Sequence, residues 1–359
     1  MRVLIAAGGT GGHIYPGIAV AQEILRRDPN SFVRFVGTQR GLESKLVTRA
    51  GFELSFIDIS GLKSVGPVAR ARGLALLPKS FYSASRIISD VKPDAVIGAG
   101  GYVSGPVLLT ATLMNRRTLV MESNALPGWT NRVLARFVDT AAVSFDQSLA
   151  YFRGKGVVTG NPVRQEFFEI PAKPRDRNCF SLLIFGGSQG AHAINEAMVA
   201  ALPQLLDLKD MLRITHQTGT ADHGTVQDGY RSVNWTNADV RPYIEDIVKE
   251  FAASDLVICR AGATTTAELI AAGKAAIMIP FPFAADDHQR KNAEALEQAG
   301  AARMILQQDL NAKRLEQTIR ELVNEPQRVS AMENASRQLS RGNAAAAVVD
   351  LVEKLISSA

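Results

Sequence analysis

Two glycine-rich segments are the first features of this sequence that could do chemistry. Gly8–Gly12 (GGTGG) and Gly186–Gly190 (GGSQG) each follow a short apolar run and precede a helical pattern. Glycines at a strand-to-helix turn let a phosphate approach backbone amides, and the helix N-terminus adds a favourable partial charge. Neither segment matches G-x-G-x-x-G or a Walker A motif, and Gly37-Thr38-Gln39 lacks the acidic residue that would hold an NAD ribose. The segments therefore predict phosphate binding outside the dinucleotide and P-loop classes, with tight strand–helix packing as the competing explanation.

Four polar features could supply the rest of a reaction site. His13 directly follows the first glycine segment and is a candidate general base, although a lone histidine is more often structural. Glu268 follows a third glycine-led helix start, where its carboxylate would bind ribose hydroxyls or merely stabilise the helix dipole. Arg164 is placed to balance the charge of a departing diphosphate. Asp286-Asp287-His288 predicts no metal site, because adjacent side chains rarely converge on one ion.

Apolar runs alternate with helical patterns in both halves of the chain, which predicts parallel α/β sheets. The predicted strands are Val3–Ala7, Phe32–Gly37, Ala95–Gly98 and Thr118–Met121, then Ser181–Phe185, Arg213–His216, Leu256–Cys259 and Ala275–Ile279. The strand, glycine turn and helix at the N-terminus recur from residue 181, with the second helix expected from about Ile194. Two Rossmann-like, doubly wound domains are therefore predicted.

The predicted boundary lies at Gly160-Asn161-Pro162, ahead of a polar link. This gives an N-terminal domain over residues 1–161 and a C-terminal domain over 162–342. A final helix over about 343–359 is rich in alanine and valine on one side and is able to pack on either domain.

Composition excludes several classes of protein. The hydrophobic fraction of 46% and charged fraction of 21% are those of a folded globular chain. Cys179 and Cys259, the only cysteines, lie far apart, so neither a disulfide framework nor a zinc site is indicated and a reducing cytoplasm is expected. Val3–Ala7 is too short for a signal peptide core, and Val107–Met114 is too short for a membrane span. The net charge of +5 suits an anionic partner, but no motif or aromatic platform supports nucleic-acid binding.

Five motifs occur in order along nearly the whole chain. They are Gly8–His13 (GGTGGH), Gly100–Pro106 (GGYVSGP), Gly160–Arg164 (GNPVR), Gly186–Ala191 (GGSQGA) and Asp286–Gln289 (DDHQ). Together they resemble the MurG family of N-acetylglucosaminyltransferases, which convert lipid I to lipid II in peptidoglycan synthesis. The resemblance implies the GT-B fold, two Rossmann-like domains facing across a cleft. It also implies an inverting, metal-independent transfer of N-acetylglucosamine from UDP-N-acetylglucosamine to the muramyl C4 hydroxyl of lipid I, without a cofactor.

The resemblance also implies a donor site. Its expected members are Thr10, Gly11, Gly12 and Asn124 in the N-terminal domain, and Arg164, Ser188, Ile244, Ala263, Thr264, Thr265, Thr266, Ala267, Glu268 and Gln289 in the C-terminal domain. Ser188 and Arg164 are expected to hold the diphosphate, and Glu268 the ribose. The Ile244 backbone would meet uracil, and Gln289 would contact the sugar.

On the acceptor side, the resemblance makes His13 the leading candidate for the general base, with the Glu122 carboxylate as the alternative. Tyr102, Ser104 and Asn131 are the other expected acceptor-side residues. One departure is visible at Ser123, where the family usually has Gln. The acceptor contacts of that position are therefore in doubt.

A basic, partly apolar segment lies between residues 61 and 88. On composition alone, a solvated face is the favoured interpretation. A lipid-linked acceptor instead favours a surface that rests on anionic inner-leaflet lipids, which would make the protein peripheral on the cytoplasmic face of the membrane. The expected patch consists of Leu74, Leu77, Phe81, Lys79 and Arg72. Cell-wall synthesis proteins are further candidate partners.

Two other functions stay open at this point. The first is another enzyme of the same fold, such as a UDP-sugar epimerase or a transferase for another lipid, against which the Gly100–Pro106 motif argues. The second is a two-domain sugar-binding protein, which would release no UDP when donor and acceptor are both present.

Overall fold

The computed structural model describes residues 1–9, 11–39, 41–59, 67–174, 176, 179–187 and 189–358, with the side chains of residues 67–74 left aside. The chain divides into two compact units. Unit 1 comprises Met1–Val163 and Arg341–Ala359, and unit 2 comprises Arg164–Ser340.

Unit 1 is built on a seven-stranded parallel sheet. Its elements are β1 (Arg2–Ala7), α1 (Gly11–Arg27), β2 (Phe32–Gly37), α2 (Glu43–Arg49), β3 (Glu53–Phe56), α3 (Pro67–Val91), β4 (Ala95–Gly100), α4 (Ser104–Leu113), β5 (Arg117–Glu122), α5 (Trp129–Leu134), β6 (Thr140–Val143) and β7 (Gly156–Val158). The strand order is β3-β2-β1-β4-β5-β6-β7. The order reverses beside β1, so the ends of β1 and β4 lie at the switch point where α/β sheets bind ligands.

Unit 2 repeats this plan with six parallel strands. Its elements are β8 (Phe180–Phe185), α6 (His192–Ala201), β9 (Leu212–Gln217), α7 (His223–Ser232), β10 (Ala238–Arg241), α8 (Ile247–Ala253), β11 (Leu256–Cys259), α9 (Ala263–Ala272), β12 (Ala276–Met278), α10 (His288–Gln298), β13 (Ala302–Met304), α11 (Ala312–Asn324) and α12 (Pro326–Leu339). The strand order is β10-β9-β8-β11-β12-β13, with its switch point beside β8. The predicted α/β class with two parallel-sheet domains is confirmed.

The last helix, α13 (Ala344–Ser357), belongs to unit 1. Its Val348, Val349 and Val352 are fully buried in the apolar layer formed by β1 and α1. Arg27 on α1 donates hydrogen bonds to Asp350 and Glu353 at the edge of the same contact. Burial of three valine side chains contributes several kcal/mol, which is enough to place the end of the chain on the N-terminal sheet.

The described part of the chain holds no helix with both the length and the apolar character that a bilayer span requires. Helix α6 begins at His192, two residues before the predicted start, because Ala191 is extended and serves as the N-cap. This earlier start places His192 in the first turn of the helix.

Candidate active site

The glycine turn of unit 2 is closed by backbone-to-backbone packing. Gly190 has φ +76° and Gly219 has φ +78°, and a Cβ at Gly190 would lie 1.9 Å from the Thr218 carbonyl oxygen. Gln217 Nε2 also donates to the Gly187 carbonyl at 2.7 Å. Any side chain at these two glycines would push the β8–α6 turn away from the end of β9. The glycines are therefore required by the turn itself.

A pocket of about 670 Å³ opens at the C-terminal ends of the unit 2 strands. It is lined by Gly186, Gly187, Gly190, Ala191, His192, Ala193 and Glu196 from the β8–α6 segment, and by Arg260, Gly262, Thr265, Phe281, Gln289 and Gln307. Of the predicted donor residues, Thr265 and Gln289 line it. Thr10 and Ser188 lie outside the described residues. The pocket volume is in the range of small-molecule sites.

Gln289 is held in a fixed orientation. Its Oε1 accepts hydrogen bonds from the backbone amides of Phe281 at 3.0 Å and Ala261 at 3.3 Å. Because these bonds use the carbonyl oxygen, the Nε2 amino group is the end of the side chain left to donate to a ligand. The fixed amide suits recognition of sugar oxygens.

Glu268 and Arg164 are brought near each other within unit 2. Burial raises the pKa of Glu268 to about 7, and the positive charge of Arg164 partly opposes that rise. The Arg164 guanidinium also lies 5.1 Å from the centroid of the Phe167 ring. Glu268 is on α9, and Ala263 to Ala267 form the first turns of this helix after the extended N-cap Gly262. Ile244 is buried in the loop between β10 and α8, and its contact with uracil stays a prediction.

Sequence reasoning missed four polar residues that line the pocket: His192, Glu196, Arg260 and Gln307. Arg260 Nη1 donates to the carbonyls of Ile279 and Pro280, and its Nη2 donates to Gln307 Oε1 at 2.7 Å. Arg260 thus ties the end of β11 to the loops after β12 and β13. A signal was present for His192 and Arg260, since both adjoin the glycine segments that the sequence singles out.

In unit 1, the glycine segments Gly8–Gly12 and Gly100–Gly105 form one cluster with His13. A Cβ at Gly100 would lie 2.4 Å from His13 Cδ2, so the imidazole lies against bare backbone. Gly101 has φ +76°, and its Cβ would lie 2.1 Å from the Gly8 carbonyl oxygen. Tyr102 packs near Gly9. Two segments 90 residues apart are thereby joined around a half-buried histidine.

Ser104 supports this cluster from inside the protein. It is fully buried, its Oγ accepts from the Gly100 amide at 3.1 Å, and it lies 2.9 Å from the Gly100 carbonyl oxygen and 3.2 Å from that of Ala6. A single hydroxyl thus bridges the ends of β1 and β4. Ser104 therefore positions the two segments that flank His13.

Glu122 is occupied by its own loop. The buried carboxylate accepts hydrogen bonds from the Asn124 amide at 2.9 Å, Asn124 Nδ2 at 3.1 Å, the Gly128 amide at 3.0 Å and Asn131 Nδ2 at 2.9 Å. Burial raises the pKa of Glu122, and these hydrogen bonds oppose the rise. Asn131 is buried as well and also donates to the Met121 carbonyl. The carboxylate thus organises residues 124–131.

Ser123, the position that departs from the family pattern, faces the start of the boundary segment. Its Oγ donates to Asn161 Oδ1 at 2.9 Å, and both residues are buried. In this structure the serine hydroxyl therefore makes an internal contact.

Apolar side chains are exposed near the predicted membrane patch. Leu77 and Phe81 are half-buried, and Lys79 pairs with Asp58 at 2.7 Å; the side chains of Leu74 and Arg72 lie outside the described residues. Helix α4 packs against α3 and α5. Three apolar side chains are exposed here: Leu113 at the end of α4, Trp129 at the start of α5, and Phe137 just after α5. The sequence analysis missed these three residues because isolated apolar positions carry no periodic signal.

Two parallel-sheet units, each with a glycine turn at its switch point and one with a ligand-sized pocket, are the architecture of the GT-B fold. The glycosyltransferase family 28 N-terminal domain matches residues 3–143, and the family 28 C-terminal domain matches residues 181–353. The chain belongs to glycosyltransferase family 28.

Relatives with one shared name are similar in sequence to this protein over nearly the whole chain. The UDP-N-acetylglucosamine--N-acetylmuramyl-(pentapeptide) pyrophosphoryl-undecaprenol N-acetylglucosamine transferase of Anaeromyxobacter sp. (strain Fw109-5) is 46% identical, over 99% of this chain and 94% of its own. The transferase of the same name from Syntrophus aciditrophicus is 47% identical, over 98% of this chain and 97% of its own.

Among solved structures, MurG of Acinetobacter baumannii matches with a TM-score of 0.82 and 34% identity, over 98% of this chain and 99% of that chain. The UDP-GlcNAc 2-epimerase of Neisseria meningitidis matches with a TM-score of 0.70 at 14% identity, over 99% of this chain and all of that chain. At that identity the likeness to the epimerase shows the fold alone.

Proposed function

We propose that this enzyme transfers N-acetylglucosamine from UDP-N-acetylglucosamine to the muramyl sugar of undecaprenyl-pyrophosphoryl-N-acetylmuramyl-pentapeptide, lipid I, to form lipid II of peptidoglycan. The 46% identity to transferases of that name over 99% of the chain carries the proposal. The family resemblance of the five motifs points to the same reaction.

Unit 2 is the donor-binding unit in this proposal. Its pocket offers a glycine turn and two helix N-termini for the diphosphate, which suit an anion without a metal ion. Arg164 adds positive charge, Glu268 accepts from the ribose hydroxyls and Gln289 donates through Nε2 to the sugar. Ser188, Ile244 and the 263–267 turn complete the proposed donor-binding residues of unit 2.

The transfer is a single displacement with inversion. The C4 hydroxyl oxygen of the acceptor forms a bond to the anomeric carbon, and the bond from that carbon to the diphosphate oxygen breaks with its electron pair on UDP. His13 takes the hydroxyl proton. His13 is favoured over Glu122 because the carboxylate oxygens of Glu122 already accept four hydrogen bonds from their own loop. Tyr102 lines the acceptor side of the site. The buried Ser104 and Asn131 position the acceptor side from within the protein.

The acceptor carries a polyprenyl chain, so we infer that unit 1 rests on the cytoplasmic face of the membrane as a peripheral protein. The proposed surface comprises Leu77 and Phe81 on α3, Leu113 on α4, Trp129 on α5 and Phe137 just after α5. The exposed cations Lys79 and Arg136 adjoin it and favour anionic lipids. Cell-wall synthesis proteins remain candidate partners.

The reaction is tested by UDP release from UDP-N-acetylglucosamine with a short-chain lipid I analogue, in EDTA. Release that depends on the acceptor and survives EDTA supports the proposal. Release without acceptor would instead indicate an epimerase or hydrolase, and donor binding without release would overturn the assigned acceptor. Glu268→Gln is expected to raise the donor KM, whereas the exposed Glu245→Gln is the matched control.

Membrane association is tested with vesicles that contain anionic lipid. Leu113→Asp with Phe137→Asp, and separately Leu77→Asp with Phe81→Asp, should each abolish vesicle binding while UDP-N-acetylglucosamine binding is kept. Leu206→Asp, at an exposed leucine of unit 2, is the control. Undiminished binding by both double variants would remove the membrane assignment.

A further inference from the structure

One titratable side chain of the pocket has no part in the function proposed above. His192 is the first residue of α6, its side chain is 69% exposed, and it lines the pocket beside Gly190 and Ala191. The N-terminus of a helix favours anions through its unpaired amides and its dipole. At this position the imidazole adds a side chain that can carry a positive charge.

His192 is held by a hydrogen-bond chain that begins in the core. His216 is fully buried, and its ring nitrogens lie 3.2 Å from the Tyr230 hydroxyl and 3.0 Å from Asn195 Oδ1. Asn195 Nδ2 donates to the Thr218 carbonyl at 2.9 Å and to Asp222 Oδ2 at 2.8 Å. Both groups that face this nitrogen can only accept hydrogen bonds, so the nitrogen must be the donating NH₂ end of the Asn195 amide. Burial lowers the pKa of His216 to about 3, so this end of the chain is neutral.

The same Asp222 oxygen accepts from His192. His192 Nδ1 lies 3.0 Å from Asp222 Oδ2, and since a carboxylate can only accept, Nδ1 carries the proton. His192 Nε2 lies 3.2 Å from Glu196 Oε1, one helical turn further on. The hydrogen bond and charge of Asp222, with a smaller part from Glu196, raise the pKa of His192 above its ordinary value. The carboxylate that orients the ring also favours its charged form.

We propose that His192 is a diphosphate-binding residue of the donor site: Asp222 holds the imidazolium by Nδ1, and Nε2–H turns from Glu196 to an oxygen of the UDP-N-acetylglucosamine diphosphate. This inference rests on the proposed function and adds a contact to it. Glu196 and the diphosphate compete for the same proton donor. A charge-assisted hydrogen bond to phosphate is stronger than the exposed pair with Glu196. The diphosphate therefore replaces Glu196 as the acceptor of the His192 Nε2–H hydrogen bond.

The groups around His192 determine the sign of the pH dependence. Glu196 lies on its own helix, Asp222 and His223 lie at the start of α7, and Arg260 lines the same pocket. When the pH rises through the pKa of His192, the imidazolium charge is lost while the Asp222 carboxylate, whose pKa is lowered, keeps its charge. The pocket then repels the diphosphate more, so donor affinity falls as pH rises.

The test is the Kd of UDP-N-acetylglucosamine by calorimetry from pH 5.5 to 8.5, for the wild type and for His192→Gln, His192→Arg, Asp222→Asn and Glu196→Gln. The intact nucleotide-sugar is the probe because its diphosphate, unlike that of UDP, does not titrate in this range. At pH 6 we expect His192→Gln to bind about tenfold more weakly, and the deficit to close by pH 8.5. His192→Arg should keep tight binding throughout.

The other variants separate positioning from charge. The Kd of Asp222→Asn should reach that of His192→Gln at a lower pH than the wild-type Kd does. Glu196→Gln should tighten binding a few fold, because it replaces the competing carboxylate with a neutral amide. His223→Gln, a neighbouring histidine outside the pocket lining, is the matched control and should keep the wild-type pH profile. By NMR, donor binding should raise the pKa of the His192 ring by about one unit, the linkage counterpart of a tenfold effect.

Parallel pH profiles for the wild type and His192→Gln, with no change in the His192 titration on binding, would overturn the inference and leave the proposed function intact. Absence of UDP-N-acetylglucosamine binding by the wild type at every pH would overturn both. Glu268 is present in both the wild type and His192→Gln. Any effect of its titration on the Kd therefore cancels when the two pH profiles are compared.

Discussion

The two glycine turns share one local design and serve different chemistry. Both follow the strand at the switch point of a parallel sheet, and both depend on glycines with positive φ, such as Gly9 in unit 1 and Gly190 in unit 2. In unit 1 the residue after the turn is His13, which packs on bare backbone. In unit 2 the equivalent residue, Ala191, is the N-cap of α6, and the pocket opens beside it. In the proposed mechanism, one strand–turn–helix plan therefore supplies the general base in one unit and the anion site in the other.

The largest effect is expected at His13. Loss of a general base costs about 10² to 10⁴ in rate, so His13→Ala should lower kcat by that factor while the Kd for UDP-N-acetylglucosamine changes little. Acceptor-dependent UDP release and calorimetry measure the two quantities. A kcat within threefold of the wild type would show that the turn of unit 1 does not supply the base. His223→Ala is the control for general effects of removing a histidine.

A pair of glycine variants should separate the two turns: Gly190 lies in the turn of unit 2, and Gly101 lies in the β4–α4 segment that packs on the turn of unit 1. Gly190→Ala places a Cβ against the Thr218 carbonyl oxygen, and Gly101→Ala places one against the Gly8 carbonyl oxygen. Each adds backbone strain of about 1–3 kcal/mol on top of the clash. We expect Gly190→Ala to weaken donor binding at least tenfold, and Gly101→Ala to keep donor binding but lose transfer.

The control for this pair is Gly224→Ala. Gly224 is in α7 with no described atom within 4 Å of its ideal Cβ, so alanine should stabilise the helix by up to about 1 kcal/mol. Equal loss of donor binding in Gly101→Ala and Gly190→Ala would contradict the division of labour between the turns.

Glu268 should impose a pH dependence on the stability of unit 2. Its pKa is raised from 4.5 to about 7, so the folded state holds the proton more tightly than the unfolded state. The free energy of unfolding therefore falls as pH rises between about 4.5 and 7, by up to about 3 kcal/mol from this group. Glu268→Gln should remove that fall and be the more stable protein at pH 8.

Urea unfolding followed by the fluorescence of the buried Trp235 measures this difference in unit 2, with Trp129 of unit 1 replaced by Phe in both proteins. The exposed Glu245→Gln should stay within about 0.5 kcal/mol of the wild type at every pH. A difference between wild type and Glu268→Gln that does not change with pH would show that the carboxyl is not perturbed.

The smallest effect is expected at Glu122, whose carboxylate organises residues 124–131 of unit 1. Glu122→Gln keeps the size of the side chain but turns an amino group toward donors that need an acceptor, at a cost of about 2 kcal/mol. Hydrogen exchange of the 124–131 amides should quicken, and transfer should fall mainly through a higher acceptor KM. A loss of kcat as large as that of His13→Ala would instead favour Glu122 as the base.

Much of the fold was predictable because it depends on local pattern. Apolar runs of strand length, helical periodicity and glycines between them predict β1, β2, β8, β11 and their helices, and the repeat at residue 181 predicts two units. Short elements were harder: the four-residue strands β3 and β10 leave little periodic signal. The pocket residues Thr265 and Gln289 were predicted from the family resemblance, whereas His192 and Arg260 needed the assembled pocket.

By itself, the sequence determined the local elements, the two glycine turns and the family. Tertiary structure alone decided which distant residues meet. His13 lies against Gly100 because β1 pairs with β4, and α13 packs on unit 1 because three of its valines complete that core. It also decided that Glu122 is occupied by its own loop and that His192 is tied to the core through Asp222. Such contacts depend on strand order and shared burial, which local spacing does not encode.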